Sequence, residues 1–154
     1  MGRPAISTIA MLAFGLAAAQ PAVAIEPLMQ AASATELKAD SRGHFIVRAE
    51  INGSDIMVLV DTGASAVALS YEDASDAGLR PGSLDFNIPI ATANGIARAA
   101  WVKLDRVEID GVRVYDVDGM VLPEGALRGS LLGMSFLSRL RSFKVEDGVL
   151  YLEN

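Results

Sequence analysis

Short apolar segments separated by turn-forming residues dominate the chain from about residue 43 onward. Residues 44–51 alternate between apolar and polar over their second half, Asn52-Gly53 follows, and residues 56–60 are all apolar. Alternation with a period of two is typical of a half-buried strand, and an Asn-Gly pair favours a tight two-residue turn. The pattern therefore predicts a first β-hairpin whose second strand is buried.

Three more hairpins are predicted by the same combination of apolar segments and turn pairs. Their turns fall at Asn94-Gly95, Asp110-Gly111 and Asp147-Gly148. The flanking segments are residues 86–93 and 96–104, residues 107–109 and 112–122, and residues 143–146 and 149–152. Pro89 cannot donate a hydrogen bond to a sheet ladder, so its strand is expected at a sheet edge or irregular there.

Two short helices interrupt this β pattern. Ser70-Tyr71-Glu72-Asp73 follows an apolar stretch over residues 66–69 and resembles a capping box, which predicts a helix that ends at Gly78. A second helix is predicted for residues 134–140. We therefore expect a mainly β domain with one or two short helices.

The N-terminal part of the chain has the pattern of an export signal. Arg3 precedes an uncharged run over residues 5–19, and Ala22-Val23-Ala24 is a small-x-small cleavage signature. The run is shorter than the roughly 20 residues that span a bilayer as a helix, and an uncleaved membrane anchor is the alternative. We expect a signal peptide over residues 1–24, export to a bacterial periplasm, a spacer over residues 25–42 and a folded domain over residues 43–154.

Composition narrows the chemistry that this domain can perform. The chain has 154 residues, which suits one packed core, and its net charge of −6 argues against a nucleic-acid partner. It has no Cys, which excludes thiol nucleophiles, disulfides and Cys-based zinc sites, and a Ser-His-Asp triad would depend on the one histidine, His44. Carboxylates are therefore the strongest candidates for acid/base chemistry, and neither a metal nor a cofactor is predicted.

The candidate acid is Asp61, which ends the apolar strand of the first hairpin and is followed by Thr62, Gly63, Ala64 and Ser65. An ionised carboxylate at the end of a buried strand requires hydrogen-bond partners. Gly63 would let the backbone turn so that N–H groups point back at the carboxylate, and the Thr62 hydroxyl could tie the loop to whatever packs against it. These residues suit a carboxylate held in a fixed position.

With this loop, the sequence resembles the retropepsin-like aspartic proteases over residues 43–152, and more closely their single-domain bacterial members that are exported or anchored through an N-terminal apolar segment. Asn52-Gly53, the segment from residue 91 to 95 and the segment from residue 131 to 137 also match, in the expected order. Ser65 departs from viral members, which often carry Asp there, and leaves the hydrogen bonding of the loop open.

The resemblance implies a half-barrel acid-protease fold in which Asp61 is the catalytic residue. It also places Leu131, Leu132 and Gly133 beside the catalytic loop. Aspartic proteases use two carboxylates around one water, and this chain has a single Asp-Thr-Gly triplet. The implied active unit is a homodimer that cleaves extended polypeptides by direct attack of water.

A cover over the cleft is expected from the hairpin tipped by Ala93, Asn94 and Gly95, since its first arm is long enough to reach across an extended peptide. Trp101 is interpreted as a core or interface residue rather than part of a substrate pocket. Two other functions stay open: a non-catalytic module that binds peptides or supports assembly on the same fold, and a β-domain without an active site. The chain is too short for the two-lobed ATPases that use an Asp-x-Gly loop.

Overall fold

The computed structural model describes residues 33–92 and 95–154, so the predicted signal peptide and the first part of the predicted spacer lie outside the described residues. The described residues form ten strands and two short α-helices, which confirms the mainly β prediction. In chain order the elements are β1 (Ala34–Lys38), β2 (Ile46–Ile51), β3 (Ser54–Val60), β4 (Val67–Leu69), α1 (Tyr71–Asp76), β5 (Ile88–Thr92), β6 (Gly95–Ile109), β7 (Val112–Val121), β8 (Ser130–Leu132), α2 (Met134–Leu137), β9 (Ser142–Glu146) and β10 (Val149–Glu153).

Seven strands form one sheet in the order β2-β3-β8-β4-β7-β6-β5. A further pairing of β2 with β6 joins Glu50 to Glu108 and Ile51 to Val107. This pairing closes six of the strands into a barrel-like ring and leaves β5 at an edge, where Pro89 is tolerated. The enclosed side chains are almost all aliphatic, with Phe136 the largest of those that are fully buried.

Three of the four predicted hairpin turns form as expected, each where Asn or Asp precedes Gly. Asn52, Asp110 and Asp147 have φ values of 52°, 46° and 49°, and the glycines that follow them also have positive φ. Two successive positive φ values are typical of the type I′ turn, whose twist matches that of the strands. The Asn94-Gly95 prediction is wrong in its register, because Thr92 pairs with Gly95 and Gly95 is therefore the first residue of β6.

Two other boundaries differ from the sequence prediction. β6 continues to Ile109 instead of ending near residue 104, because after leaving β5 it goes on pairing with β7. α2 ends at Leu137, since the N–H of Arg139 and the N–H of Leu140 bond to carbonyls only three residues earlier and tighten the last turn.

Residues 34–38 belong to the folded domain rather than to a spacer. They form β1, which pairs along its whole length with β10 in a separate three-stranded sheet of order β1-β10-β9. Leu37 packs against the core, whereas its neighbours Glu36 and Lys38 are exposed. A strand with one large apolar side chain gives too weak a periodic signal to be distinguished from a linker.

Helix α1 is fixed to the sheet by a buried network of hydroxyls. Ser70 caps the helix by accepting a 3.1 Å hydrogen bond from the N–H of Asp73. In the predicted capping box, the Asp73 side chain would also bond back to the N–H of Ser70. Instead, Ser130, the first residue of β8, bridges these two groups. Its hydroxyl accepts from the N–H of Ser70 at 3.0 Å and donates to the Asp73 carboxylate at 2.5 Å. The network therefore sets the position of β8.

Replacing Ser130 with Ala should lower the free energy of unfolding by about 1–3 kcal/mol, because the Ser70 N–H and the Asp73 carboxylate would both lose a buried partner. Urea unfolding followed by circular dichroism measures the change. Ser83→Ala is the matched control, since Ser83 bonds only to a carbonyl in an exposed turn; its effect should stay within about 0.5 kcal/mol. Equal effects of the two substitutions would contradict the network.

Candidate active site

Asp61 lies directly after β3, where the backbone leaves the sheet. Its own N–H donates to the carbonyl of Leu132 at 3.0 Å, so the residue is held by the neighbouring strand β8. The N–H of Gly63 donates to the Asp61 carboxylate at 2.8 Å, and the N–H of Ala64 donates to the Asp61 carbonyl at 3.2 Å. The turn thus points one backbone donor, the N–H of Gly63, at the half-buried carboxylate, whereas the sequence led us to expect more than one.

β8 supports this loop from below. Val60 pairs with Leu132 in a parallel ladder, and the N–H of Met134 donates to the Ala64 carbonyl at 2.8 Å. Gly133 passes so close to the loop that a Cβ there would lie 2.2 Å from the Ala66 carbonyl oxygen. Only glycine leaves room for this approach, and the structure therefore brings Leu131, Leu132 and Gly133 beside Asp61.

Ser135 also holds the loop, although it is not one of the site residues predicted from the sequence. Its hydroxyl accepts a 2.9 Å hydrogen bond from the N–H of Val67, at the start of β4, and donates to the carbonyl of Asp118 in β7 at 2.6 Å. The residue ties α2 to the strand that follows the Asp61 loop. Its only sequence signal was its place within the segment that carried the family resemblance.

A cleft of about 530 Å³ opens in front of Asp61. Asp61, Gly63, Ala64 and Ser65 form one side of it, and the edge strand β5 forms another. The remaining walls are mostly aliphatic, with Ala68, Met120, Leu122, Leu127 and Leu131 among them. Among the described residues lining the cleft, Asp61 is the one carboxylate, so the surroundings of this acid are largely apolar.

A second groove, of about 450 Å³, lies on the other side of Asp61 and Thr62. Its walls come from Phe45 and from β9, where Lys144 and the 60% exposed Val145 face solvent. A 2.8 Å hydrogen bond to Glu146 raises the pKa of Lys144, which stays cationic. Thr62 is exposed, and within the described residues its hydroxyl makes no hydrogen bond.

The loop leading into this groove is fixed by Asp40. Its carboxylate accepts hydrogen bonds from the N–H of His44 at 2.9 Å and the N–H of Arg42 at 2.8 Å, and these bonds lower the pKa of Asp40. His44 itself is exposed and lies before β2 rather than at the candidate site, so no Ser-His-Asp triad forms around it. The ionised Asp40 instead orders the turn that positions Phe45.

The hairpin expected to cover the cleft is only partly described. Ala93 and Asn94 lie outside the described residues, while Gly95 begins β6 and Ile96 beside it is 83% exposed. The arm that precedes them, β5, contributes Ile90, Ala91 and Thr92 to the cleft.

Within residues 33–92 and 95–154, no cluster of three or more His, Asp or Glu side chains could hold a metal ion. The same residues include no helix that is long and apolar enough to cross a membrane.

The chain matches the family model described as "gag-polyprotein putative aspartyl protease" over residues 47–139. It is 45% identical over 112 residues to an uncharacterized protein in the cobV 5′ region of Sinorhizobium sp., covering 73% of this chain and 48% of that protein. It is 40% identical over 110 residues to an uncharacterized protein of Rickettsia prowazekii, covering 71% of this chain and 47% of that protein. The chain thus spans about half the length of these curated relatives.

Two solved structures share the fold. A retropepsin-like aspartic protease from Rickettsia conorii superposes with a TM-score of 0.72 and 34% identity, covering 79% of this chain and 91% of that one. EIAV protease in complex with the inhibitor HBY-793 superposes with a TM-score of 0.55 and 19% identity, covering 67% of this chain and 93% of that one. The second match shows the fold alone. The family model and the first structure show that the chain belongs to the retropepsin-like aspartic protease family.

Proposed function

We propose that the protein is an aspartic endopeptidase that hydrolyses peptide bonds in extended polypeptides at a site formed by Asp61 of two copies. The observation that carries the proposal is the position of Asp61, which opens into the apolar cleft while the N–H of Gly63 bonds to its carboxylate. A module that only binds peptides has no evident need for such a carboxylate.

The homodimer is proposed because the reaction uses two carboxylates, whereas the described cleft of one copy contains one. Activation of water between two acids needs a second carboxylate, and Asp61 is the one carboxylate among the described lining residues. A two-fold axis beside Asp61 would supply its counterpart from a second copy, in an arrangement that closes on itself. Exposed Thr62 and the groove formed with β9 leave surface next to Asp61 for that copy.

Two carboxylates about 3 Å apart would repel by roughly 5 kcal/mol at an effective dielectric constant of about 20, so the pair shares one proton. The ionised Asp61 takes a proton from the bound water as its oxygen attacks the scissile carbonyl carbon. The protonated Asp61 donates its proton to the carbonyl oxygen. The resulting tetrahedral diol then collapses: one hydroxyl gives its proton to the ionised Asp61, the C–N bond breaks, and the amine leaves with the proton of the protonated Asp61, so that the pair again shares one proton. Asp61 forms no covalent bond to the substrate.

The hairpin of β5 and β6 is proposed to close over the bound peptide. The edge strand of this hairpin already lines the cleft through Ile90 and Ala91, which supports its assignment as the cover. Closure would exclude water and strengthen the electrostatic interactions at the reacting carbonyl.

Residues 1–24 are proposed to direct export to a bacterial periplasm. If they are not cleaved, they are proposed to attach the protein to the inner membrane.

The proposal is tested by incubating the purified chain with a diverse peptide mixture and identifying products by mass spectrometry. Because the site needs two copies, doubling the protein concentration should raise the initial rate about fourfold well below the dimer dissociation constant. Sedimentation at the same concentrations gives the oligomeric state. A rate proportional to concentration in a solution of monomers would contradict the shared site. Peptide binding without cleavage would favour the alternative, a binding or assembly module.

A further inference from the structure

A row of side chains crosses four strands on the face of the sheet that forms the cleft. Ala68 pairs with Leu131 on one side and with Met120 on the other, and Met120 pairs with Trp101. Directly paired residues on neighbouring strands project to the same face of a sheet. Leu131, Ala68 and Met120 all line the cleft, so Trp101 ends a row that begins beside the Asp61 loop.

Trp101 does not lie in the core, which is one of the two places predicted for it from the sequence; the other, an interface, stays a prediction. Its side chain is 50% exposed, whereas its neighbours along β6, Ala100 and Val102, point to the opposite face and are buried. Two residues further along β6, on the same face as Trp101, Lys103 pairs with Asp118 of β7, and the two side chains form an ion pair. The ring is therefore a large apolar surface, open to solvent, at the boundary between the cleft and a polar rim.

The length of the row indicates what reaches its end. Neighbouring strands lie about 4.8 Å apart, so three steps from β8 to β6 cover about 14 Å. An extended peptide advances about 3.3 Å per residue and covers that distance in about four residues. The starting residue, Leu131, pairs with Leu59 two positions before Asp61. Counting from Leu59 on β3, which is one strand step nearer to Asp61, gives about 19 Å or about six residues. A peptide cleaved at Asp61 and lying along the row would therefore pass Trp101 about four to six residues from the scissile bond.

We propose that Trp101 forms an outer subsite that selects an aromatic or large aliphatic side chain about four to six residues from the cleaved bond. The inference rests on the proposed peptidase function and deepens it. The apolar ring stacks against the substrate side chain, while the ion pair of Lys103 and Asp118 gives the subsite a polar edge that a charged side chain would have to desolvate.

The kinetic test first places Phe at the fourth, fifth and sixth residue on either side of the cleaved bond, and then compares peptides that carry Phe, Leu or Gly at the position with the strongest effect. The wild type should cleave the Phe and Leu peptides with a kcat/KM about tenfold above that of the Gly peptide. Trp101→Ala should remove this preference, and Trp101→Phe should keep most of it. Tyr115→Ala is the matched control, because Tyr115 is an aromatic residue 48% exposed outside the cleft. An unchanged preference in Trp101→Ala would overturn the proposal.

A binding measurement separates this inference from the proposed reaction. Trp101 is the one tryptophan of the chain, so its fluorescence reports this position alone. In an Asp61→Asn variant, the Phe peptide should shift the emission to shorter wavelength and protect it from acrylamide quenching, whereas the Gly peptide should not. A shift without wild-type cleavage would support the subsite and contradict the peptidase. Cleavage with identical fluorescence for the two peptides would contradict the subsite alone.

Discussion

Replacing Asp61 with Asn should lower kcat/KM for peptide cleavage by at least about a thousandfold, because the amide can neither take a proton from water nor share one with a second carboxylate. The fold should be retained. Asn has nearly the same shape, and its carbonyl oxygen can still accept the hydrogen bond from the N–H of Gly63. Product analysis by mass spectrometry gives the rate, and circular dichroism with sedimentation verifies the folded state and the dimer.

Asp147→Asn is the control for this substitution. Asp147 also precedes a glycine, but it lies in the exposed turn between β9 and β10 with a φ of 49°, which Asn tolerates well. Its activity should equal that of the wild type. If Asp61→Asn still cleaves peptides at the wild-type rate, the proposed mechanism is contradicted. Loss of activity in both variants would point to an effect on folding.

Mixed dimers test whether the site is shared between copies. When wild type and Asp61→Asn are mixed in equal amounts and allowed to exchange, about a quarter of the dimers carry two intact copies of Asp61. Activity per total protein should then fall to about a quarter of the wild-type value, on the same binomial argument for a two-fold dimer. A fall to only one half would mean that each copy cleaves independently.

The parts of the fold that the sequence predicted are those fixed by local chemistry. The Asn52-Gly53, Asp110-Gly111 and Asp147-Gly148 turns form because these pairs accept positive φ values whatever surrounds them. The Asp61 loop was visible for a related reason. A carboxylate, a hydroxyl residue and a glycine directly after an apolar strand are unusual enough to be noticed without a structure.

The missed parts depend on contacts between distant segments. Ser130 contacts Asp73 across 57 positions of the chain, and Ser135 contacts Val67 across 68. Nothing in the few residues around either serine indicates such a partner. The sequence left open whether Trp101 lies in the core or at an interface, because alternation along β6 shows which residues share a face, but not whether that face is covered. Only the strand pairing shows that Trp101 lies next to Met120, which lines the cleft.

Gly133→Ala should lower the free energy of unfolding by about 3 kcal/mol or more, because the added methyl group meets backbone that cannot move away cheaply. The Cβ would lie 2.2 Å from the Ala66 carbonyl oxygen and 2.7 Å from that of Ala64. Conformation is not the obstacle, since Gly133 has a φ of −97°, which any residue adopts. Variants that fold should lose at least about a hundredfold in kcat/KM, because the Asp61 loop would be displaced.

Gly129→Ala separates this close approach from a general cost of replacing glycine before α2. A Cβ at Gly129 would meet nothing within 4 Å, so that variant should stay within about 0.5 kcal/mol of the wild type. Urea unfolding and peptide cleavage are measured on both variants. Because the added methyl group of Gly133→Ala would press on the loop that carries Asp61, both stability and activity should fall in that variant. Neither should fall in Gly129→Ala. Full activity in a stable Gly133→Ala variant would show that β8 does not set the position of the Asp61 loop.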